Sequence, residues 1–171
     1  MKAGGGNTAS LARDHALRLD VPGLVTITGG KWTTYRSMAE GCVNKAAAVG
    51  NLQRRRCVTT ELRLHGYDPN AGTGPLAVYG SDATEVRKLM KSDPALAEPL
   101  HKALQYTGAE VIWAVRSEMA RTVTDVLARR TRALFLNNRA AVEMAPRIAE
   151  LMARELGRGS DWVSGQLRAV S

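Results

Sequence analysis

From Pro75 onward the chain repeats the punctuation of short helices, and this limits it to a fold built mainly from packed α-helices. Asp82 is placed to cap a helix, with Glu85 three residues on. Asp93-Pro94 offers a cap and a first-turn proline for a helix predicted over Ala95 to Gln105. Thr107-Gly108-Ala109-Glu110 has the spacing of a capping box opening Val111 to Ser117, and Thr122 with Asp125 repeats that signal for Val123, Val126 and Leu127. The longest helix is predicted at Asn138 to Leu156, with Ala141, Ala145, Ile148 and Met152 on one face and a kink at Pro146. Gly157 ends it, and Ser160 is expected to cap a last turn around Trp162 to Leu167.

The first third reads differently. Gly4-Gly5-Gly6-Asn7 is too permissive for regular structure, so residues 1–12 are expected to form a flexible leader. Arg13 to Leu19 reads as extended, and Pro22-Gly23 turns the chain into the β-branched run Leu24-Val25-Thr26-Ile27-Thr28. Gly29-Gly30 stops that strand. Thr33 or Thr34 is placed to cap a helix whose apolar residues Tyr35, Met38, Cys42, Ala46 and Val49 run to Gly50. Val58 to Leu64 is predicted extended, and a Gly/Pro/Asn-rich loop covers His65 to Pro75. The expected layout is a leader at 1–12, a strand-turn-helix unit at 13–50, a linker at 51–75 and a helical bundle at 76–171, with the domain boundary near residues 51–57.

At 171 residues, 44% apolar and 23% charged, the chain is long enough to bury a core without disulfide or metal staples. No apolar run reaches the ~18 residues of a membrane-spanning helix, and Met1 to Asp14 lacks the apolar centre of a secretion signal. The net charge is +8, and residues 1–56 hold nine basic against three acidic residues, or +6 of it. This asymmetry points to an anionic partner: phosphate, nucleic acid or an acidic membrane surface. Cys42 and Cys57 lack metal-ligand spacing and read as reduced thiols in a reducing compartment.

The most informative stretch is Ile27 to Arg36, where a strand ends in two glycines and a helix starts within four residues. Glycines let backbone N–H groups approach a ligand, a helix N-terminus adds partial positive charge, and Lys31 adds a full one. Such a corner suits a phosphate or the anionic edge of a reduced flavin. Gly29-Gly30 also serves an ordinary strand-to-helix turn, and spacing alone favours that use. The Walker spacing is absent. His65 and His101 have no partnering Cys or His, so no zinc site is expected. Glu118, Arg121, Asp125, Arg129, Arg130 and Arg132 are placed for an ion-pair network, and Trp113 and Trp162 for packing the bundle. Arg54-Arg55-Arg56 reads as a solvated linker, with contact to a membrane surface as the sharper alternative.

Several blocks, in order, resemble FAD-dependent glycerol-3-phosphate dehydrogenases. They are Ala12 to His15, Pro22 to Val25, Gly29 to Glu40, Leu62 to Tyr67, Tyr106 to Val111 and, again strongly, Glu118 to Arg132. The resemblance implies that Arg13 is an active-site arginine for the substrate phosphate or oxygen, and that Lys31 is an active-site lysine near the flavin. It implies that Gly29, Gly30, Lys31, Trp32 and Thr33 face the isoalloxazine ring. No Gly-x-Gly-x-x-Gly turn occurs in the sequence, so the chain resembles a C-terminal portion: the end of an FAD-binding α/β domain followed by a helical domain. The implied complete enzyme oxidises sn-glycerol 3-phosphate to dihydroxyacetone phosphate, with hydride passing to FAD and electrons to quinone; a close relative would use oxygen instead. Its N-terminal FAD domain is the implied partner. The expected location is the cytoplasm, with peripheral contact at the inner face of the cytoplasmic membrane compatible with the basic run. The alternative is a non-catalytic basic helical module holding a partner protein, anionic lipid or nucleic acid; the scarcity of aromatics beside the basic residues argues against nucleic acid.

Overall fold

The fold starts with a reversal at Pro22-Gly23, where the fixed φ of proline precedes a glycine at φ 82°. The computed structural model describes residues 15–170, so the expected leader, and Arg13, lie outside the described residues. Strands β1 (His15–Val21) and β2 (Leu24–Gly29) form an antiparallel hairpin that pairs His15 with Gly29 and Leu17 with Ile27. A single 3₁₀ turn, Trp32–Thr34, leads into α1 (Tyr35–Val49), which stops at Gly50 as its pattern predicts. Thr34 precedes α1 but does not cap it. Its hydroxyl instead donates to the Lys31 carbonyl at 3.0 Å.

The chain divides into two compact units between Arg63 and Leu64. In the first, Val58 to Leu64 is not extended. Among the described residues no strand pairs with it, and the amides of Glu61 and Leu62 instead donate to the Val58 carbonyl at 3.2 and 3.1 Å, closing a turn. Arg36 fixes this turn to α1 by bonding Glu40 at 2.7 Å and the Thr59 hydroxyl at 3.2 Å.

The second unit is mainly α-helical: α2 (Ala83–Ser92), α3 (Gly108–Ser117), a π-helical turn Asp125–Arg130, α4 (Ala133–Leu136), α5 (Asn138–Leu156) and α6 (Ser160–Arg168). The helix predicted over Ala95 to Gln105 is absent. Asp93 does cap, accepting from the Ala95 amide at 3.0 Å, but only the 3₁₀ turn Pro94–Leu96 follows. Pro99 has no N–H to continue a helix, and the chain instead forms a second hairpin, β3 (Pro99–His101) with β4 (Leu104–Thr107). At α2, Asp82 holds the cap position, yet its carboxylate turns to His65 at 2.8 Å. Gly159, not Ser160, stands at the cap of α6.

The core forms where α5 meets α3. Ala141, Ala145, Ile148 and Met152, the predicted stripe, are all buried, and they cluster with Val111, Ile112 and Val115 of α3 and with Val126 and Leu127. Each large side chain fully withdrawn here contributes about 1.5–3 kcal/mol. Trp162 lies half-buried against this cluster, in the packing role expected of it.

Polar groups finish the helix starts. The capping box at Thr107 is complete: Glu110 accepts from the Thr107 amide at 2.8 Å and its hydroxyl at 3.0 Å, and also from the Tyr79 hydroxyl at 3.2 Å. Asp125 accepts from the amides of Arg121 and Thr122 at 3.0 and 2.9 Å and pairs with Arg129 at 2.9 Å. Arg130 grips the Glu118 carbonyl and lies 3.6 Å from its carboxylate. The expected network resolves into these two separate ion pairs: the Arg121 guanidinium donates to the Val115 and Ala120 carbonyls at 3.0 Å instead, and Arg132 joins no ion pair among the described residues.

Burial, opposed by the Thr107 and Tyr79 donors, raises Glu110 above the ordinary glutamate value of 4.5. Burial likewise raises Glu118, against the pull of Arg130. The folded state therefore holds these protons more tightly than the unfolded chain. Their contribution to stability is fully present below 4.5 and is lost as pH rises through the folded values. In urea titrations from pH 4.5 upward, Glu110→Gln is expected to flatten this decline. Asp125 has the opposite sign: although burial opposes it, the surrounding N–H and hydroxyl donors hold it below 3.8. Asp125→Ala is expected to cost about 1–2 kcal/mol at neutral pH by the same titration.

Candidate functional site

The candidate corner is built by the end of β2 and the start of α1. Gly29 and Gly30 have φ of 76° and 91°, a backbone path that side-chain-bearing residues rarely follow. A Cβ on Gly30 would also meet the Met38 thioether from α1, so this glycine lets the strand end lie directly on the helix. The ordinary steric use of the pair is therefore present in the structure.

The outward face of the turn carries the chemistry. The first amides of a helical turn have no acceptor within it, and neither Lys31 nor Thr34 caps them with a side chain. Lys31 is exposed, enters no ion pair among the described residues, and faces no acidic residue in the first turn of α1. A full positive charge, unfilled backbone donors and the positive end of a 15-residue helix coincide here. Trp32 is 86% exposed and stacks on Tyr35, with ring centroids 5.4 Å apart and 25° between planes. The arrangement offers an anion-binding corner beside a flat apolar platform. It fits the edge of a planar, anionic ring system as one wall of its site.

The structure thus brings Gly29, Gly30, Lys31, Trp32 and Thr33 together at one turn, while Arg13 lies outside the described residues. Tyr35 was missed as part of the platform. Its place three residues after Trp32 was the available signal, but the helical pattern assigned it to an apolar face. His15 pairs with Gly29 across the hairpin, and its Cβ borders Gly30. Arg36 was unassigned too. Its bond to Glu40 raises it above its ordinary value, so it works as a permanently charged clasp on the 57–59 turn.

His65 and His101 are engaged by Asp82 and Glu143, each at 2.8 Å, and no metal-ligating cluster occurs among the described residues. Cys42 and Cys57 are free thiols.

Comparison with known proteins decides the family. The sequence profile of the C-terminal domain of alpha-glycerophosphate oxidase matches residues 25–162. The chain belongs to this family. It is 38% identical over 177 residues to a mitochondrial glycerol-3-phosphate dehydrogenase of Mesocricetus auratus, covering 91% of this chain and 24% of that protein. A probable mitochondrial glycerol-3-phosphate dehydrogenase of Caenorhabditis elegans is 37% identical over 185 residues, covering 95% and 25%. One from Arabidopsis thaliana is 35% identical over 181 residues, covering 87% and 29%. The chain therefore spans about a quarter of the length of these curated relatives. No solved structure matches it.

Gly30→Ala tests how the corner is held. The positive φ and the Met38 contact are expected to loosen the junction of β2 with α1. Hydrogen exchange of the α1 amides should accelerate about tenfold, with the helical unit unaffected.

Proposed function

We propose that the chain is the C-terminal portion of an FAD-dependent glycerol-3-phosphate dehydrogenase. The complete enzyme oxidises sn-glycerol 3-phosphate to dihydroxyacetone phosphate, with hydride passing to FAD and electrons onward to quinone. The observation that carries this reading is the family match across residues 25–162, which runs through both the glycine turn and the helical unit. Identity of 38% to a glycerol-3-phosphate dehydrogenase over 91% of the chain supports it.

When bound, FAD supplies the hydride acceptor. The chain's own residues supply one wall of the pocket. Lys31 holds an ammonium where negative charge gathers on a ring edge or substrate oxygen, and the free amides of the following turn add donors to the same place. Trp32 and Tyr35 provide an apolar platform that keeps water from one side. In this reading Arg13 binds the substrate phosphate or polarises the substrate oxygen, for either of which a planar guanidinium is suited. The sequence holds no Gly-x-Gly-x-x-Gly turn for the pyrophosphate, so that grip belongs to the N-terminal FAD domain. We place the enzyme in the cytoplasm with peripheral contact at the inner membrane face; no helix among the described residues is long and apolar enough to cross a membrane.

Two outcomes are expected. The purified chain is colourless and without dehydrogenase activity, read from its visible absorbance and a dye-reduction assay. Once assembled with an FAD-binding portion, Lys31→Ala lowers the rate of flavin reduction about 10²-fold in stopped flow, with the thermal midpoint unchanged. Unchanged flavin reduction would remove Lys31 from the site.

A further inference from the structure

We infer that His101 is a proton-gated clamp: a proton taken up at Nδ1 releases the tip of the β3–β4 hairpin while the ring stays on α5. The hairpin turns through two residues, Lys102 and Ala103, between the paired His101 and Leu104. Two-residue hairpin turns favour left-handed backbone, because that conformation matches the twist of the flanking strands. Neither Lys102 nor Ala103 has a positive φ, so the backbone alone closes this tip poorly. The His101 side chain completes the closure. Its Nδ1 accepts from the Ala103 amide at 3.1 Å, and its Nε2 meets the Glu143 carboxylate of α5 at 2.8 Å.

These two contacts fix where the proton lies. A ring nitrogen that accepts from an N–H carries no proton of its own, so Nδ1 is bare and Nε2–H donates to Glu143. A second proton makes both ring nitrogens donors and leaves no acceptor, whichever way the ring turns. Positive charge strengthens the hold of the ring on the Glu143 carboxylate, so the Ala103 contact is the one that breaks. The ring sits between the hairpin and α5 with 16% of its side chain exposed, whereas Lys102 and Ala103 are exposed, so the turn is the part free to move. On α5, Arg139 and Arg147 stand one turn to either side of Glu143, and Arg147 is paired with Glu150 at 3.5 Å. The charged or titratable residues of the hairpin and its foot are Glu98, Lys102 and Tyr106. Leu100, Leu104 and Tyr106 pack against the core, which confines the opening to the tip. Imidazole changes charge between about pH 5 and 8, so the clamp works around neutrality. The inference is independent of the Gly29-Gly30 turn.

The test is nuclear magnetic resonance of the full chain between about pH 8 and 5. At the alkaline end the His101 ring is expected in its Nε2–H form, read from the nitrogen shifts of the ring. As the ring takes up its second proton, the exchange protection of the Ala103 amide should fall about fivefold in step with it, while the amides of α3 and α5 keep theirs. His101→Gln, which has no proton to gain in this range, should remove the pH dependence. Glu143→Gln still offers an oxygen to Nε2–H and should leave the fall in place, because the fall originates at Nδ1. The inference is overturned if the proton sits on Nδ1 at the alkaline end, if Ala103 protection does not follow the ring, if the fall persists in His101→Gln, or if Glu143→Gln abolishes it.

Discussion

The alanines of α5 set the spacing of the helical unit. Ala141, Ala145 and Ala149 are buried beside Ile148 and Met152, and side chains this small let α3 approach closely enough for Val111, Ile112 and Val115 to interlock with the larger residues. The other elements lean on that pair. The π-helical turn contributes Val126 and Leu127 to the same cluster, while α6 closes it with Trp162, Val163 and Leu167. Because α3 is held so tightly, its N-terminus cannot remain unsatisfied, and a buried Glu110 with three donors settles there.

The unit that carries the Gly29-Gly30 turn is organised by another rule. Not one described residue from His15 to Arg63 is buried. The shape of this unit comes from the hairpin ladder, from the contact of Gly30 with Met38 and from the Arg36 clasp rather than from a core. A hairpin and one helix without an interior do not make an independently stable domain. This agrees with a chain that spans a quarter of its relatives' length.

Much of the architecture was legible because its signals are local. The bounds of α5 follow from its four-residue apolar stripe and from Gly157, whose φ of 61° closes it. The box at Thr107 needs only residues within three positions. The misreadings came where another partner competes for a group. Asp82 was free to cap α2 until His65 took its carboxylate, and Thr34 was free to cap α1 until the Lys31 carbonyl took its hydroxyl. At Ala95 to Gln105 the cap signal was correct, but Pro99 outweighed it. In the candidate site the glycines and Lys31 were readable from type and spacing. The Trp32–Tyr35 stack was not, because ring orientation depends on how the 3₁₀ turn hands over to α1.

The missing interior has a consequence for biosynthesis. The hairpin and α1 leave the ribosome before the helical unit has been translated, and they present Leu24, Trp32, Val43 and Leu52 to water with nothing of their own to hide them. Chaperones and proteases read such a surface as an unfinished product. The lifetime of such a polypeptide is then governed less by its well-packed C-terminal helices than by how soon another surface covers the unit from His15 to Arg63.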